Sequence, residues 1–194
     1  GFKVLEDACH SLGASRNGEP VGSCKWSHVT AFSFHPVKII TTAEGGMCMT
    51  NDDELAWRMA TLRSHGITRD PARMQHQPEG PWYYEQLDLG YNYRMTDLHA
   101  ALGPSQLARL EEFVARRNTL AEQYNGKLAH LPLQLPKVQP ANRSSFHLYV
   151  VRLRSSVVRK PHREVFEALL GEGIGVGLHY MPVHLHPYYR NLGF

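Results

Sequence analysis

Short apolar runs separated by polar turns dominate the first fifty residues. Val4-Leu5 runs into Glu6-Asp7-Ala8, Val29-Thr30-Ala31-Phe32-Ser33-Phe34 alternates with a period of two, and Met47-Cys48-Met49 follows Gly45-Gly46. These patterns predict strands at about 4–8, 28–34 and 46–50. Arg16-Asn17-Gly18-Glu19-Pro20 supplies turn residues between the first two. The period then changes. Asp52-Asp53-Glu54 opens a helix to about His65, its acids complementing the N-terminal dipole. Leu55, Met59 and Leu62 recur on one side of it at i, i+4 and i+7 and read as ordinary core packing. Residues 66–88 lose periodicity: Arg69-Asp70-Pro71 and Gln75-His76-Gln77-Pro78-Glu79-Gly80-Pro81 form a long polar loop carrying Trp82, Tyr83 and Tyr84. Loops of this length inside a domain tend to be functional or mobile.

Helical spacing returns at Thr96, which reads as a cap for a helix ending near Gly103. From Ser105 a long helix is predicted to about Leu128, with Leu107, Leu110, Phe113, Val114 and Leu120 on its apolar side. Glu111, Glu112, Arg116 and Arg117 form its solvated face. After a proline-rich stretch at 132–140 the pattern predicts a strand near 146–154, a helix near 161–171 and a strand near 174–179. The whole is α/β, with two expected domains, 1–105 and 106–194, bridged by the long helix. No internal repeat or low-complexity segment interrupts it.

Composition narrows the function classes. The 194 residues carry 21 Lys and Arg against 18 Asp and Glu, a formal charge of +3. Without a basic block, that balance argues against a nucleic-acid surface. No apolar run approaches membrane-spanning length and no signal peptide is visible. The three cysteines, Cys9, Cys24 and Cys48, lack metal-type pairing and read as reduced thiols, so a cytoplasmic location is expected. His184-Leu185-His186 with His179 suggests a polar cleft rather than a metal site, since no carboxylate completes a ligand set.

Candidate chemistry centres on Lys38. It follows the apolar alternation 29–34, at the end of Phe32-Ser33-Phe34-His35-Pro36-Val37-Lys38. An amine at the mouth of a buried strand is poorly solvated, which lowers its pKa and makes it a usable nucleophile toward an aldehyde. The plain alternative is a loop lysine just past a strand end. Asp7 closes another short run, with His10 three residues on. In a parallel sheet ligands gather at the carboxyl ends of strands, so Asp7 and Lys38 are placed to face one cavity. Such a pair matches pyridoxal phosphate, whose pyridine nitrogen needs a carboxylate and whose aldehyde needs an amine. Ser33 then suits the phosphate and His10 the ring hydroxyl. The alternative for Asp7 is a residue that caps the following turn.

Several segments carry a specific resemblance. Glu6-Asp7-Ala8-Cys9-His10-Ser11-Leu12-Gly13-Ala14, the lysine segment 32–38 with Thr41-Thr42-Ala43-Glu44-Gly45-Gly46, and Leu89-Gly90-Tyr91-Asn92-Tyr93-Arg94-Met95-Thr96-Asp97 followed by Ala100-Ala101-Leu102-Gly103 resemble motifs of the DegT/DnrJ/StrS-type nucleotide-sugar aminotransferases. So does the segment from Ile174 to His184. His-Pro-Val-Lys, the run Arg63-Ser64-His65-Gly66-Ile67-Thr68 and His10 in place of glutamine point to one subgroup, the UDP-4-amino-4,6-dideoxy-N-acetyl-β-L-altrosamine transaminases of pseudaminic acid biosynthesis.

The resemblance implies a fold-type I, aspartate aminotransferase-like enzyme dependent on pyridoxal 5'-phosphate. It implies a piece of a chain about twice as long, lacking an N-terminal phosphate-binding turn, an aromatic stacked on the cofactor, and the C-terminal end. Residues 1–105 would be the C-terminal half of the large cofactor domain and 106–194 a truncated small domain. By the same likeness Lys38 and Asp7 are catalytic, and His10, Ser33 and Asn92 bind cofactor, Asn92 in the neighbouring subunit of a homodimer. His179, Tyr180, His184 and Arg94 would contact substrate, although a structural salt bridge serves equally for Arg94. The implied reaction moves an amino group from L-glutamate to C4 of a UDP-linked 4-keto-6-deoxy-N-acetylhexosamine. The alternatives are another nucleotide-linked 4-keto sugar, or a cofactor-binding regulatory protein without turnover; the presence of Lys38 argues against the latter.

Overall fold

The computed structural model describes residues 1–194. In chain order the elements are β1 (Leu5–Asp7), β2 (Ser15–Arg16), β3 (Glu19–Pro20), β4 (Val29–Ser33), β5 (Gly46–Met49), α1 (Asp53–Arg63), β6 (Ile67–Thr68), β7 (Glu85–Gln86), α2 (Asp97–Leu107) and α3 (Leu110–Leu128). β8 (Leu133–Gln134), β9 (Asn142–Arg143), β10 (Arg152–Leu153), α4 (His162–Gly171) and α5 (Pro187–Asn191) complete them. The chain forms two compact units, one of Gly1–Ala129 with Leu135–Val150, the other of His130–Gln134 with Val151–Phe194.

The first unit is built on a three-stranded sheet in the order β1-β4-β5. β4 pairs in parallel with β1, placing Asp7 opposite Ala31, and antiparallel with β5, placing Ser33 opposite Gly46. Because side chains alternate along a strand, Asp7, Ala31 and Ser33 share one face while Ala8, Phe32 and Phe34 share the other. The second set is the core: Ala8, Phe32, Phe34 and Ile40 are buried together, with Leu12, Val21, Met95, Leu110 and Phe113 packed against them. α3 therefore belongs to this unit, with Val114 fully buried and Ala121 nearly so. The helix expected to bridge two domains is anchored to the first compact unit by its own apolar side.

The predicted strands at 4–8, 28–34 and 46–50 form, and α1 begins where expected, with Asp52 Oδ1 accepting the amides of Glu54 and Leu55 at 3.0 Å each. The apolar side of α1 is only half-buried. Other boundaries differ. Gly103-Pro104 does not end α2, which runs on to Leu107. The break falls at Ala108-Arg109, where Arg109 leaves helical geometry at φ −100° and ψ 1°. The strand expected near 146–154 shrinks to Arg152–Leu153, paired antiparallel with β8, because the carbonyls of Ser144, Phe146 and His147 are taken by side chains of α3. The strand expected near 174–179 is absent, since that stretch has no ladder partner. In the second unit α4 spans His162–Gly171, close to its predicted range, and α5 follows a short 3-10 turn at Val183–Leu185. No helix is long and apolar enough to cross a membrane.

Gly13 fixes how closely the loop after β1 approaches α3. Its φ of +78° is left-handed, and a Cβ there would lie 2.7 Å from Val114 Cγ2 and 3.2 Å from Leu110 Cδ1. Val114 is 0 % exposed and has no room to retreat. Backbone strain and overpacking then add. Gly13→Ala is expected to lower stability by roughly 2–4 kcal/mol, read by chemical denaturation of the full-length protein. An unchanged midpoint would show that this contact is not a constraint.

Candidate active site

Asp7 and Ser33 end β1 and β4 on one face of the sheet, and Lys38 lies in the loop that follows β4. Asp7 is the last residue of β1, and its Oδ1 accepts the amide of Cys9 at 3.1 Å. The turn-capping role is thus real, and it holds the carboxylate in one orientation. Hydrogen bonding from Cys9, side chain first and amide next, lowers the Asp7 pKa, with His10 and Lys38 adding favourable charge. The group exposed at the end of β1 is therefore a carboxylate. Cys9 responds in the opposite sense: burial and the hydrogen bond to Asp7 raise its thiol pKa. Cys9 read only as a reduced thiol in the sequence, although an aspartate two residues before an amide at a strand end is a known turn signal.

Lys38 sits in a loop stapled at both ends by Phe34. The Phe34 amide donates to Gly45 O at 2.8 Å, and its carbonyl accepts the amide of Thr42 at 3.0 Å and the hydroxyl of Thr41 at 3.0 Å. Within the loop, Lys38 N donates to His35 O at 2.9 Å, and Ile39 and Ile40 are each 4 % exposed. The backbone under Lys38 is thereby fixed. Its side chain is half-buried, so the dehydration expected from the sequence is partial. Ser33, at the end of β4, has its Oγ 3.4 Å from the amide of His35; that bond uses an acceptor lone pair and leaves the hydroxyl proton for an anion.

His10 follows Asp7 on the same loop and is exposed, its ring 4.3 Å from that of His147. These residues fit pyridoxal phosphate by their chemistry: a carboxylate held ionised for a pyridine nitrogen, an amine for an aldehyde, a hydroxyl for a phosphate and an imidazole for a ring hydroxyl.

Asn92 and Arg94 are exposed on a segment zipped along the end of α1. His65 N donates to Tyr91 O, Tyr91 N to Leu62 O and Tyr93 N to Arg63 O, at 2.7–2.9 Å, and Asn92 bridges Ser64. The zipper depends on Gly66 and Gly90, whose backbones cross so closely that a Cβ on either would strike the other strand. Next along, Met95 packs on the core beside Gly45, bringing this segment against the lysine loop. No salt bridge involving Arg94 forms. His179, Tyr180 and His184 lie in the second unit, all exposed, with the rings of His179 and Tyr180 4.2 Å apart.

The region 66–88, expected as a plain loop, contains the β6–β7 pair and a 3-10 turn at Pro71–Arg73. Glu85, 9 % exposed, organises it: Oε2 accepts the amide of Gln75 at 2.6 Å, while Oε1 accepts the amide of His76 at 2.9 Å and the Tyr83 hydroxyl at 3.1 Å. His76 Nδ1 lies 3.0 Å from the same oxygen. Nothing in the sequence marked Glu85, because its partners become neighbours only when the loop closes.

Residues 1–194 match the DegT/DnrJ/EryC1/StrS aminotransferase family. Over 188 residues the chain is 39 % identical to the uncharacterized protein MJ1066 of Methanocaldococcus jannaschii, covering 96 % of this chain and 48 % of that one. Among solved structures, Helicobacter pylori PseC, an aminotransferase involved in the biosynthesis of pseudoaminic acid, aligns with a TM-score of 0.85 at 30 % identity, over 98 % of this chain and 48 % of PseC. The PLP form of Spr1654 from Streptococcus pneumoniae aligns with a TM-score of 0.83 at 31 % identity, over 99 % of this chain and 47 % of its own. The chain spans about half the length of the relatives it matches.

Hydrogen bonding from the Gln75 amide, then from His76 and Tyr83, lowers the Glu85 pKa below its ordinary 4.5. A carboxylate with a depressed pKa stabilises the closed loop above that ordinary value, and the contribution is lost as pH falls through the lowered one. Amide exchange at Gln75 and His76 is therefore expected to lose protection only below about pH 4.5. Glu85→Gln is expected to lose it at neutral pH, with exchange accelerated about tenfold. Equal protection in the variant would show that Glu85 does not hold the loop.

Proposed function

Because the chain belongs to the DegT/DnrJ/EryC1/StrS aminotransferase family, we propose that it forms the catalytic-lysine part of a sugar aminotransferase that uses pyridoxal 5'-phosphate. The observation that carries this reading is the placement of Asp7 and Ser33 at the ends of two parallel-paired strands, with Lys38 in the stapled loop that follows the second. When bound, pyridoxal phosphate supplies an electron sink for the carbanion formed at the donor's α-carbon. Asp7, kept ionised by Cys9, pairs with the protonated pyridine nitrogen and sustains that sink. The Ser33 hydroxyl donates to the phosphate, and His10 orients the ring through its hydroxyl. Lys38 Nζ would be the amine that holds the coenzyme through its aldehyde carbon, with loss of water, and when free it would be the base that carries the proton away from the donor's α-carbon.

The donor we propose is L-glutamate, and the acceptor C4 of a UDP-linked 4-keto-6-deoxy-N-acetylhexosamine in pseudaminic acid biosynthesis. Likeness to PseC supports this choice, with His10 and the wording His35-Pro36-Val37-Lys38. Arg94, His179, Tyr180 and His184 are assigned to the sugar nucleotide. Residues 1–105 are assigned to the large cofactor domain of the whole enzyme and 106–194 to the small one. We also propose a homodimer in which Asn92 reaches the neighbouring subunit's cofactor. Leu89, Tyr93 and Leu98, 83, 71 and 85 % exposed, surround Asn92 in the sequence and offer an apolar surface to a second subunit. Three free thiols suit the cytoplasm.

In the full-length protein Lys38→Ala is expected to abolish both transamination and the borohydride-fixed bond to the coenzyme. A reducible adduct surviving in that variant would sink the assignment. Asp7→Asn is expected to cut turnover on the order of a hundredfold or more while changing coenzyme affinity far less. Near-normal turnover would leave Asp7 as a turn cap alone. Assay of purified protein with L-glutamate and a panel of UDP-linked 4-keto sugars tests the acceptor; preference for a different nucleotide sugar would redirect the reading within the family.

A further inference from the structure

The loop bearing Asp7 and His10 is held by residues far along the chain. Ser145, 1 % exposed, donates its hydroxyl to the carbonyl of His10 at 3.0 Å across a separation of 135 residues. Two positions on, the His147 ring lies against the His10 ring, centroids 4.3 Å apart and planes inclined by 59°. The segment that offers both contacts is clamped by α3. Arg117 Nη1 donates to the carbonyls of Phe146 and His147 at 3.0 and 3.3 Å, and the Asn118 amide donates to Ser144 O at 2.9 Å. Between the two contact residues, Phe146 takes φ 44°, a left-handed value uncommon for a bulky side chain. Its amide is received by Ser144 Oγ at 3.1 Å. Such strain persists only where the surroundings over-determine it, and the carbonyl and amide of Phe146 are both engaged.

A tie serving only to dock α3 would be satisfied by any loop carbonyl and would not involve a ring. Here the hydroxyl reaches the backbone of His10, three residues after Asp7, and the second contact is to the His10 imidazole. A coenzyme-facing group works only when held in one orientation. Resting on the aminotransferase reading above, we propose that Ser145 and His147 are positioning residues for His10, fixing its backbone and ring so that the imidazole meets the coenzyme's ring hydroxyl in a single pose.

The test uses the full-length protein and pyridoxal phosphate as the probe. Ser145→Ala, His147→Phe, His10→Ala and the double variant His10→Ala with His147→Phe are compared with wild type. The readouts are the coenzyme dissociation constant, the visible absorbance maximum of the bound coenzyme, and the melting temperature of the apoprotein. Ser145→Ala and His147→Phe are each expected to raise the dissociation constant about tenfold and to shift the absorbance maximum, as a lost buried hydrogen bond or ring contact would. In the His10→Ala background the His147→Phe effect is expected to vanish, because coupled residues fail to add. Lowered melting temperatures with unchanged affinity and absorbance would overturn the proposal by reducing both residues to structural ties. Full additivity of His10→Ala and His147→Phe would overturn it as well. Should Ser145→Ala fail to fold, the His10–His147 cycle decides alone. A wild-type protein that binds no pyridoxal phosphate would defeat the aminotransferase reading itself, and this inference with it, before any variant is compared.

Discussion

Parallel pairing of β1 with β4 is the constraint on which the rest of the site depends. Its register sets Asp7 beside Ala31, and the two-residue period of a strand then puts Ser33 on the same face. Two strands that run the same way must end at the same edge, so the residues that follow them, Cys9 and His10 on one side and His35 to Lys38 on the other, emerge together. The same alternation sends Ala8, Phe32 and Phe34 to the opposite face, where α3 covers them. A slip of one residue in this pairing would exchange the two sets, burying the carboxylate and exposing the rings. Apolar packing on one face thus fixes the position of polar chemistry on the other.

The sequence was most legible where local pattern and tertiary role coincide. The alternation in 29–34 is both a strand signal and the core, and the acids at 52–54 are both charge pattern and cap. Lys38 and Asp7 were legible because each closes a recognisable apolar run. Less legible were features made by chain closure. Gly103-Pro104 looked like a stop, yet a proline perturbs the turn before it and leaves the helix free to continue to Leu107. The stretch 146–154 has a strand-like pattern, but the carbonyls of Phe146 and His147 at its start are claimed by Arg117, a donor 29 to 30 positions away in the sequence. Glu85 and Ser145 gave no sign at all, since a single carboxylate or hydroxyl acquires meaning only from the amides or carbonyl that folding brings to it.

Electrostatics in the first unit follow one theme. Asp7 and Glu85 are each held ionised chiefly by hydrogen bonds from nearby residues rather than by a formal ion pair. At Glu85 the first donor is the Gln75 amide, which carries no counter-charge that can be lost by titration, whereas at Asp7 the Cys9 side chain comes first and the Cys9 amide second. Lys38 and His10 add favourable charge at Asp7, but hydrogen bonds from Cys9 come first there.

The crossing of Gly66 and Gly90 has a consequence for how this protein can diverge. Backbone meets backbone there, and the hydrogen bonds from 62–66 to 87–93 leave no slack on either side. Insertions or deletions within those two stretches would shift Asn92 and Arg94 along the end of α1. Between them, from 69 to 84, the chain departs and returns through the short β6–β7 ladder. Length variation among descendants of this sequence is therefore channelled into that excursion, which can grow or shrink without shifting the segment that carries Asn92 and Arg94.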